Sequence, residues 1–173
     1  MLKEIAPRIA RVALLANPAL AGYEYLVRSA EAAAPSLAIE LFRSPVANAA
    51  DIERSIESVA RVPDSGLLLP PESTTILHRD LVIALAARHR LPAVYSARFW
   101  VTAGGLMSYG TDQIDLFGHA ASYVDRILRG ADPTQLPVQA PTRYETTLNL
   151  KTAQALGLEV PASLLVRADE VIE

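Results

Sequence analysis

Residues 103–112 read Ala103-Gly104-Gly105-Leu106-Met107-Ser108-Tyr109-Gly110-Thr111-Asp112. A short apolar strand here runs into Tyr-Gly-Thr-Asp. An amphipathic helix follows, with Leu116, Phe117, Ala120, Tyr123, Val124, Ile127 and Leu128 at i, i+3, i+4 spacing. Gly130 suits the left-handed residue that ends a helix. Ala131-Asp132-Pro133 then turns the chain, and Leu136-Pro137-Val138 starts another extended piece.

The same alternation of strand and helix runs upstream. Arg11-Val12-Ala13-Leu14-Leu15-Ala16 is an apolar run closed by Asn17-Pro18, the reading of a fully buried strand and its turn. A helix is expected over about 22–34, a strand over 37–42 and a helix from Asn48 or Ala49 through Ile52, Ile56, Val59 and Ala60. Gly66-Leu67-Leu68-Leu69 is a third strand stopped by Pro70-Pro71. A helix over about 75–90 and the strand Leu91–Tyr95 follow, with Phe99–Val101 in a connecting segment. Asn149 reads as the cap of a helix that Gly157 ends, and 161–172 as a further helix or turn with Leu164, Leu165, Ala168 and Ile172 inward. Strands and helices alternating at this spacing imply a parallel sheet with helices on both faces, a Rossmann-like three-layer α/β/α lobe.

At 173 residues the chain can build one domain with a real core, and 51% hydrophobic with 20% charged residues is a globular composition. Sixteen basic and nineteen acidic side chains give a formal charge of −3, with no basic stripe, so nucleic acid is not an expected partner. No apolar run reaches the roughly 20 residues that span a bilayer. The absence of cysteine excludes disulfides, thiol nucleophiles and cysteine-based zinc sites. His78, His89 and His119 have no ligand spacing, so no metal site is expected. Glycine-rich phosphate loops and a Gly-x-Ser-x-Gly elbow are likewise missing, and neither catalysis nor a cofactor is expected. The start Met1-Leu2-Lys3-Glu4-Ile5-Ala6-Pro7 has no signal-peptide h-region, which as written implies a cytoplasmic chain.

In a parallel sheet, ligands bind outside the carboxyl ends of the strands. Those ends offer Asn17, Glu72, Ser73, Thr74, Tyr95, Arg98, Tyr109 and Asp112 as candidate ligand contacts. Glu72 and Asp112 are carboxylates suited to an ammonium group; their alternative roles are a loop acid and a helix N-cap. Tyr95 and Tyr109 can stack on a ligand or close the edge of the core. Arg98 can take a carboxylate in a two-pronged bond or remain a loop arginine. Asn17 can bond a ligand or make an Asx turn before Pro18.

Four pieces, in order, carry a family likeness: Asn17-Pro18; Leu69-Pro70-Pro71-Glu72-Ser73-Thr74; Leu91-Pro92-Ala93-Val94-Tyr95; and Gly104 to Asp112. Their order resembles the substrate-binding proteins of ABC transporters, which have the type I periplasmic-binding fold. The resemblance implies that residues 1–104 form a second-lobe-like domain, that 105–136 cross toward a first lobe, and that 137–173 supply a return strand and tail helices. It implies one lobe of a clamp that captures a small molecule such as an amino acid without covalent chemistry and delivers it to an ABC permease, in a family that is periplasmic. The alternatives are an enzyme or a regulatory or structural dimer on a similar sheet. The apolar helix that ends near Gly130, left without a first lobe, leads us to expect a homo-oligomer through residues 105–130.

Overall fold

The structure, a computed structural model, describes residues 1–173. At its centre, β1 (Arg11–Ala16) buries Ala13 and Leu15 toward one side and Val12, Leu14 and Ala16 toward the other, as a strand covered on both faces must. β2 (Glu40–Pro45) and β3 (Ser65–Leu68) flank it in parallel, and β4 (Ala93–Tyr95) and β5 (Met107–Thr111) extend the parallel sheet. β6 (Tyr144–Asn149) then runs antiparallel to β5, and β7 (Glu170–Ile172) pairs parallel with β6 at the edge. The strand order is β2-β1-β3-β4-β5-β6-β7.

Nine α-helices accompany the strands: α1 (Leu2–Ile5), α2 (Tyr23–Ala33), α3 (Ala49–Ala60), α4 (Ser73–Leu77), α5 (Arg79–Arg88), α6 (Arg98–Thr102), α7 (Gln113–Leu128), α8 (Leu150–Ala155) and α9 (Ala162–Arg167). On one face, Ile52, Ile56 and Val59 of α3, Val82, Leu85 and Ala86 of α5, and Trp100 of α6 pack with Leu15, Leu67 and Leu69. On the other, Val27 of α2 meets Leu14 and Ala16, while Ile5, Ala153 and Leu164 of α1, α8 and α9 meet Val12, Met107 and Leu148. Ile52 and Ile56 are fully buried, and each such side chain contributes about 2–3 kcal/mol relative to exposure. The three-layer α/β/α lobe is therefore the architecture, with an antiparallel strand added at one side.

Several local expectations are corrected. The second strand starts at Glu40, because Pro35 enters a 3-10 turn over Ala34–Leu37 and Ala38 takes a left-handed φ of 50°. The helix expected over 75–90 is two helices, divided at His78 (φ −104°, ψ 27°). The segment connecting β4 to β5, where Phe99–Val101 are expected, is itself a short helix, α6, with Trp100 fully buried. Leu136–Val138 is not a strand; Pro137 has no N–H to give a ladder, and the strand that returns is β6. The tail ends as β7, and Leu165 stays partly exposed while Leu164 goes inward.

Candidate functional site at the strand carboxyl ends

The chain leaves β1 for β2 on one side and comes back to β3 on the other, so strand order reverses between β1 and β3. A crevice at the carboxyl ends of the strands opens at such a point. Asn17 follows β1 there, and Pro70 to Thr74 lead from β3 into α4. Asn17 Oδ1 accepts from the Ala19 N–H at 2.9 Å, which closes the Asx turn and fixes the orientation of the amide. Its Nδ2 therefore faces Thr74 and donates to Oγ1 at 2.9 Å, a bond across the switch point between residues 57 apart in sequence.

Glu72 is buried, at 4% exposure, and its carboxylate caps α4 by accepting from the Thr74 N–H at 2.8 Å and the Thr75 N–H at 2.5 Å. One lone pair on each oxygen is thereby used, and the acid serves the helix start and not an open loop. Ser73 is exposed at the first position of α4, beside half-buried Thr74. Asn17, Glu72 and Thr74 thus form one hydrogen-bonded group, with the exposed Ser73 beside it at the start of α4.

Arg98 and Asp112 belong to a second group, around the carboxyl end of β5. Arg98 opens α6, and its Nε and Nη2 bond both carboxylate oxygens of Glu170 on β7, so the guanidinium fork is held by this chain's own acid. That pairing raises the Arg98 pKa. Asp112 caps α7, accepting from the Ile114 and Asp115 N–H groups at 2.9 and 3.1 Å, with Arg143 Nε 3.3 Å from its other oxygen. Glu145 is opposite Gly110 in the β5–β6 register. Burial, and then the charge of Asp112, raises the Glu145 pKa, while Arg98 acts in the opposite sense. Glu145, Glu170 and Arg143 escaped the sequence reading: isolated charged residues in a polar stretch carry no local signal of their partners.

The two tyrosines separate. Tyr95 is 2% exposed and stacks on Trp100 with ring centroids 4.8 Å apart, and burial pushes its phenol pKa upward. Its reading as a ligand-stacking residue is corrected to core packing, because strand alternation puts it on the α5–α6 side with Ala93. Tyr109 is half exposed and stacks on Tyr144 at 5.6 Å. The pair lines a cavity of about 320 Å³ with Leu164, Arg167 and Asp169, on the α9 face of the sheet.

Gly110 sets the local geometry between β4 and β5. A Cβ on it would lie 1.9 Å from the Ser96 carbonyl oxygen, so only glycine lets the turn after β4 close onto β5. A larger concavity, about 850 Å³, lies at the opposite, amino ends of the strands, with Arg8, Asp64, Ser65, His89 and Arg90 among its walls. Opposed charges line this open groove, and the polar groups that the fold brings together are at the carboxyl ends. No helix is long and apolar enough to cross a membrane, and no group of three or more potential ligands has metal-site geometry.

Comparisons with solved structures agree with this architecture. A conserved domain protein from Vibrio cholerae O1 biovar El Tor superposes with a TM-score of 0.89 at 25% identity, over 98% of this chain and 57% of that one. The ABC domain from Streptococcus pneumoniae in complex with L-Trp gives 0.89 at 24% identity, over 99% and 59%. The ligand-free, open structure of a substrate-binding protein with adhesive properties from Clostridium difficile gives 0.72 at 19%, over 99% and 57%. The chain therefore spans somewhat more than half the length of each of these structures. No curated protein matches it. The family profile described as ABC transporter substrate binding protein matches residues 1–172, a family of solute-binding proteins and not of enzymes. With that match over nearly its whole length, the chain belongs to the ABC transporter substrate-binding protein family.

Proposed function

We propose that the chain is one lobe of the solute-binding component of an ABC importer. It takes a small molecule, such as an amino acid, without covalent chemistry at the carboxyl ends of β1 and β3. The observation that carries this reading is the Asn17–Thr74 bond across the switch point. It orients two side chains and leaves each with a donor: the Thr74 hydroxyl proton and the second Asn17 amide N–H. With the Ser73 hydroxyl they suit a carboxylate. The L-Trp bound to the Streptococcus pneumoniae structure supports an amino acid as the class of ligand.

One rim covers one side of a ligand, so capture needs a second surface facing it, and the lobe by itself binds weakly. Closure of two surfaces on ligand is the expected cycle, with delivery to an ABC permease on the outer side of the membrane. Self-association through residues 105–130 belongs to the same reading, because α7 buries no residue within its own chain.

Titrating amino acids into the isotopically labelled chain and following amide shifts tests the site. Shifts concentrated at Asn17, Ser73, Thr74 and their neighbours at millimolar ligand support it. Shifts confined to the groove at the opposite end of the strands, or none with any amino acid, overturn it.

A further inference from the structure

Six buried side-chain atoms find no hydrogen-bond partner in the protein, and three of them belong to one place: Ser108 Oγ on β5, Thr147 Oγ1 on β6 and Trp100 Nε1 on α6. All three residues are at most 1% exposed. Strand alternation brings them together. Met107 and Leu148 pack on the side of α1, α8 and α9, so Ser108 and Thr147, next to them in their strands, face the α6 side. The two are cross-strand partners in the β5–β6 register. Ser108 is also level with Tyr95 on β4. Tyr95 carries Trp100 stacked on its ring, so the indole covers the same patch of sheet.

A row on β6 singles out the position. Glu145, Thr147 and Asn149 alternate onto the α6 side. Asn149 Nδ2 donates to the Val101 carbonyl at 3.3 Å. Glu145, at the other end of the row, feels the charge of Arg98, the first residue of α6. Only Thr147, in the middle, has no counterpart on α6, and Ser108 beside it has none either.

A buried hydroxyl or indole N–H is costly unless something takes up its hydrogen bond. Here that group must accept from the indole N–H, which only donates, and pair with two hydroxyls that can each give or take. A cation cannot accept. An anion would be buried without a counter-charge, because the Arg98 fork is already held by Glu170. Water does both and makes about three bonds in sites of this kind.

We infer that one internal water is a fixed part of this fold, held under α6 by Trp100 Nε1, Ser108 Oγ and Thr147 Oγ1. It joins the five-residue helix to β5 and β6 at its middle, as Asn149 joins it near its end and Thr152 Oγ1 joins the turn beyond it by donating to the Gly104 carbonyl at 2.9 Å. α6 opens with Arg98, so the water also helps to hold that guanidinium at the rim.

Trp100 is the one tryptophan of the chain, so its indole proton gives a single NMR signal. In rotating-frame Overhauser spectra that proton should show a water cross peak with the sign of dipolar contact, opposite to that of chemical exchange. The peak should be lost in Thr147→Val and in Ser108→Ala, which are isosteric or smaller and keep the fold. Each substitution should lower Tm by roughly 2–4 °C. The double variant should fall about as far as one of them, because both act through the same molecule. A rise in Tm in either variant, the relief expected of a hydroxyl with no partner at all, overturns the inference. So does a parent protein without the cross peak, or a peak that survives both substitutions.

Discussion

Gly110→Ala tests whether the packing of the β4 turn onto β5 is as tight as the backbone geometry says. The new Cβ would stand 1.9 Å from the Ser96 carbonyl oxygen and 2.9 Å from its carbon. These are backbone atoms, so no side chain can swing aside, and the two segments must separate by more than about 1 Å to reach an ordinary contact. β5 pairs with β4 through Tyr95↔Ser108 and Val94↔Met107, next to the buried Tyr95–Trp100 stack, so the displacement is resisted by well-packed core. The expected cost is about 3 kcal/mol, near the top of the usual range for overpacking, which lowers Tm by roughly 6–12 °C in a chain of this size. Denaturant unfolding monitored by Trp100 fluorescence should show a lower midpoint with an unchanged slope. Gly118→Ala is the control: it meets open space on α7 and should leave the midpoint unchanged or raise helicity slightly, by about 1 kcal/mol of propensity at most. If Gly110→Ala unfolds within about 0.5 kcal/mol of the parent, the close approach does not exist and the placement of the turn after β4 against β5 is wrong.

Glu72→Ala removes both bonds that cap α4 and should cost about 1–2 kcal/mol, read as a midpoint shift; no shift would mean that the carboxylate is not the cap. Asn17→Ala removes the bridge to Thr74 and should cost about 1 kcal/mol, and it should also weaken the amino-acid-induced shifts at Thr74; unchanged shifts would remove Asn17 from the site. Glu145 has a pKa raised above the ordinary 4.5 by burial and by Asp112. The folded state holds this proton more tightly than the unfolded one, so the penalty is absent below the ordinary value and stability falls as pH rises through the folded value. Glu145→Gln should therefore raise Tm at pH 7, with the difference vanishing below the ordinary glutamate range; an equal difference at both pH values would refute the ionisation argument.

The buried strands were legible because each is an apolar run closed by residues that cannot continue it: Ala16 by Asn17-Pro18, Leu69 by Pro70-Pro71. The helix starts at Asn48, Asp112 and Asn149 were legible for an equally local reason, and each side chain accepts from a backbone N–H of the turn it opens. α6 escaped notice because five residues give no room for a helical period to show. β6 was expected only as a return strand somewhere in 137–173, and its bounds were not legible because Thr146 and Thr147 read as polar, although both are buried once β5 and β7 flank them. Of the site, the Asn17 to Thr74 group was readable from strand ends alone. The partner of Arg98 was not, since Glu170 lies 72 residues away, beyond any local signal. Tyr95 was misplaced although its alternation with Val94 already assigns it to the side of Ala93; being at the end of a strand fixes which end of the sheet a residue occupies, not which face.

The two halves of the rim differ in how they are held, and this bears on function. Asn17 is fixed by the Asx turn after β1 and by its bond across to Thr74 at the start of α4, and neither bond involves α7. Asp112 and Arg143 instead stand where the chain leaves β5 for α7 and where it returns to β6. Those two positions connect α7 to the β5–β6 ladder, in which Gly110 faces Glu145. A ligand whose contacts stay near Asn17 and Thr74 is therefore indifferent to α7. A ligand that also reaches Asp112 is coupled to its docking, because the free energy of placing α7 and that of binding then share a group. Under the proposed function, the group at β1 and β3 is the half-site held independently of α7, and the group at β5 is the one next to α7, an arrangement suited to closure around a solute.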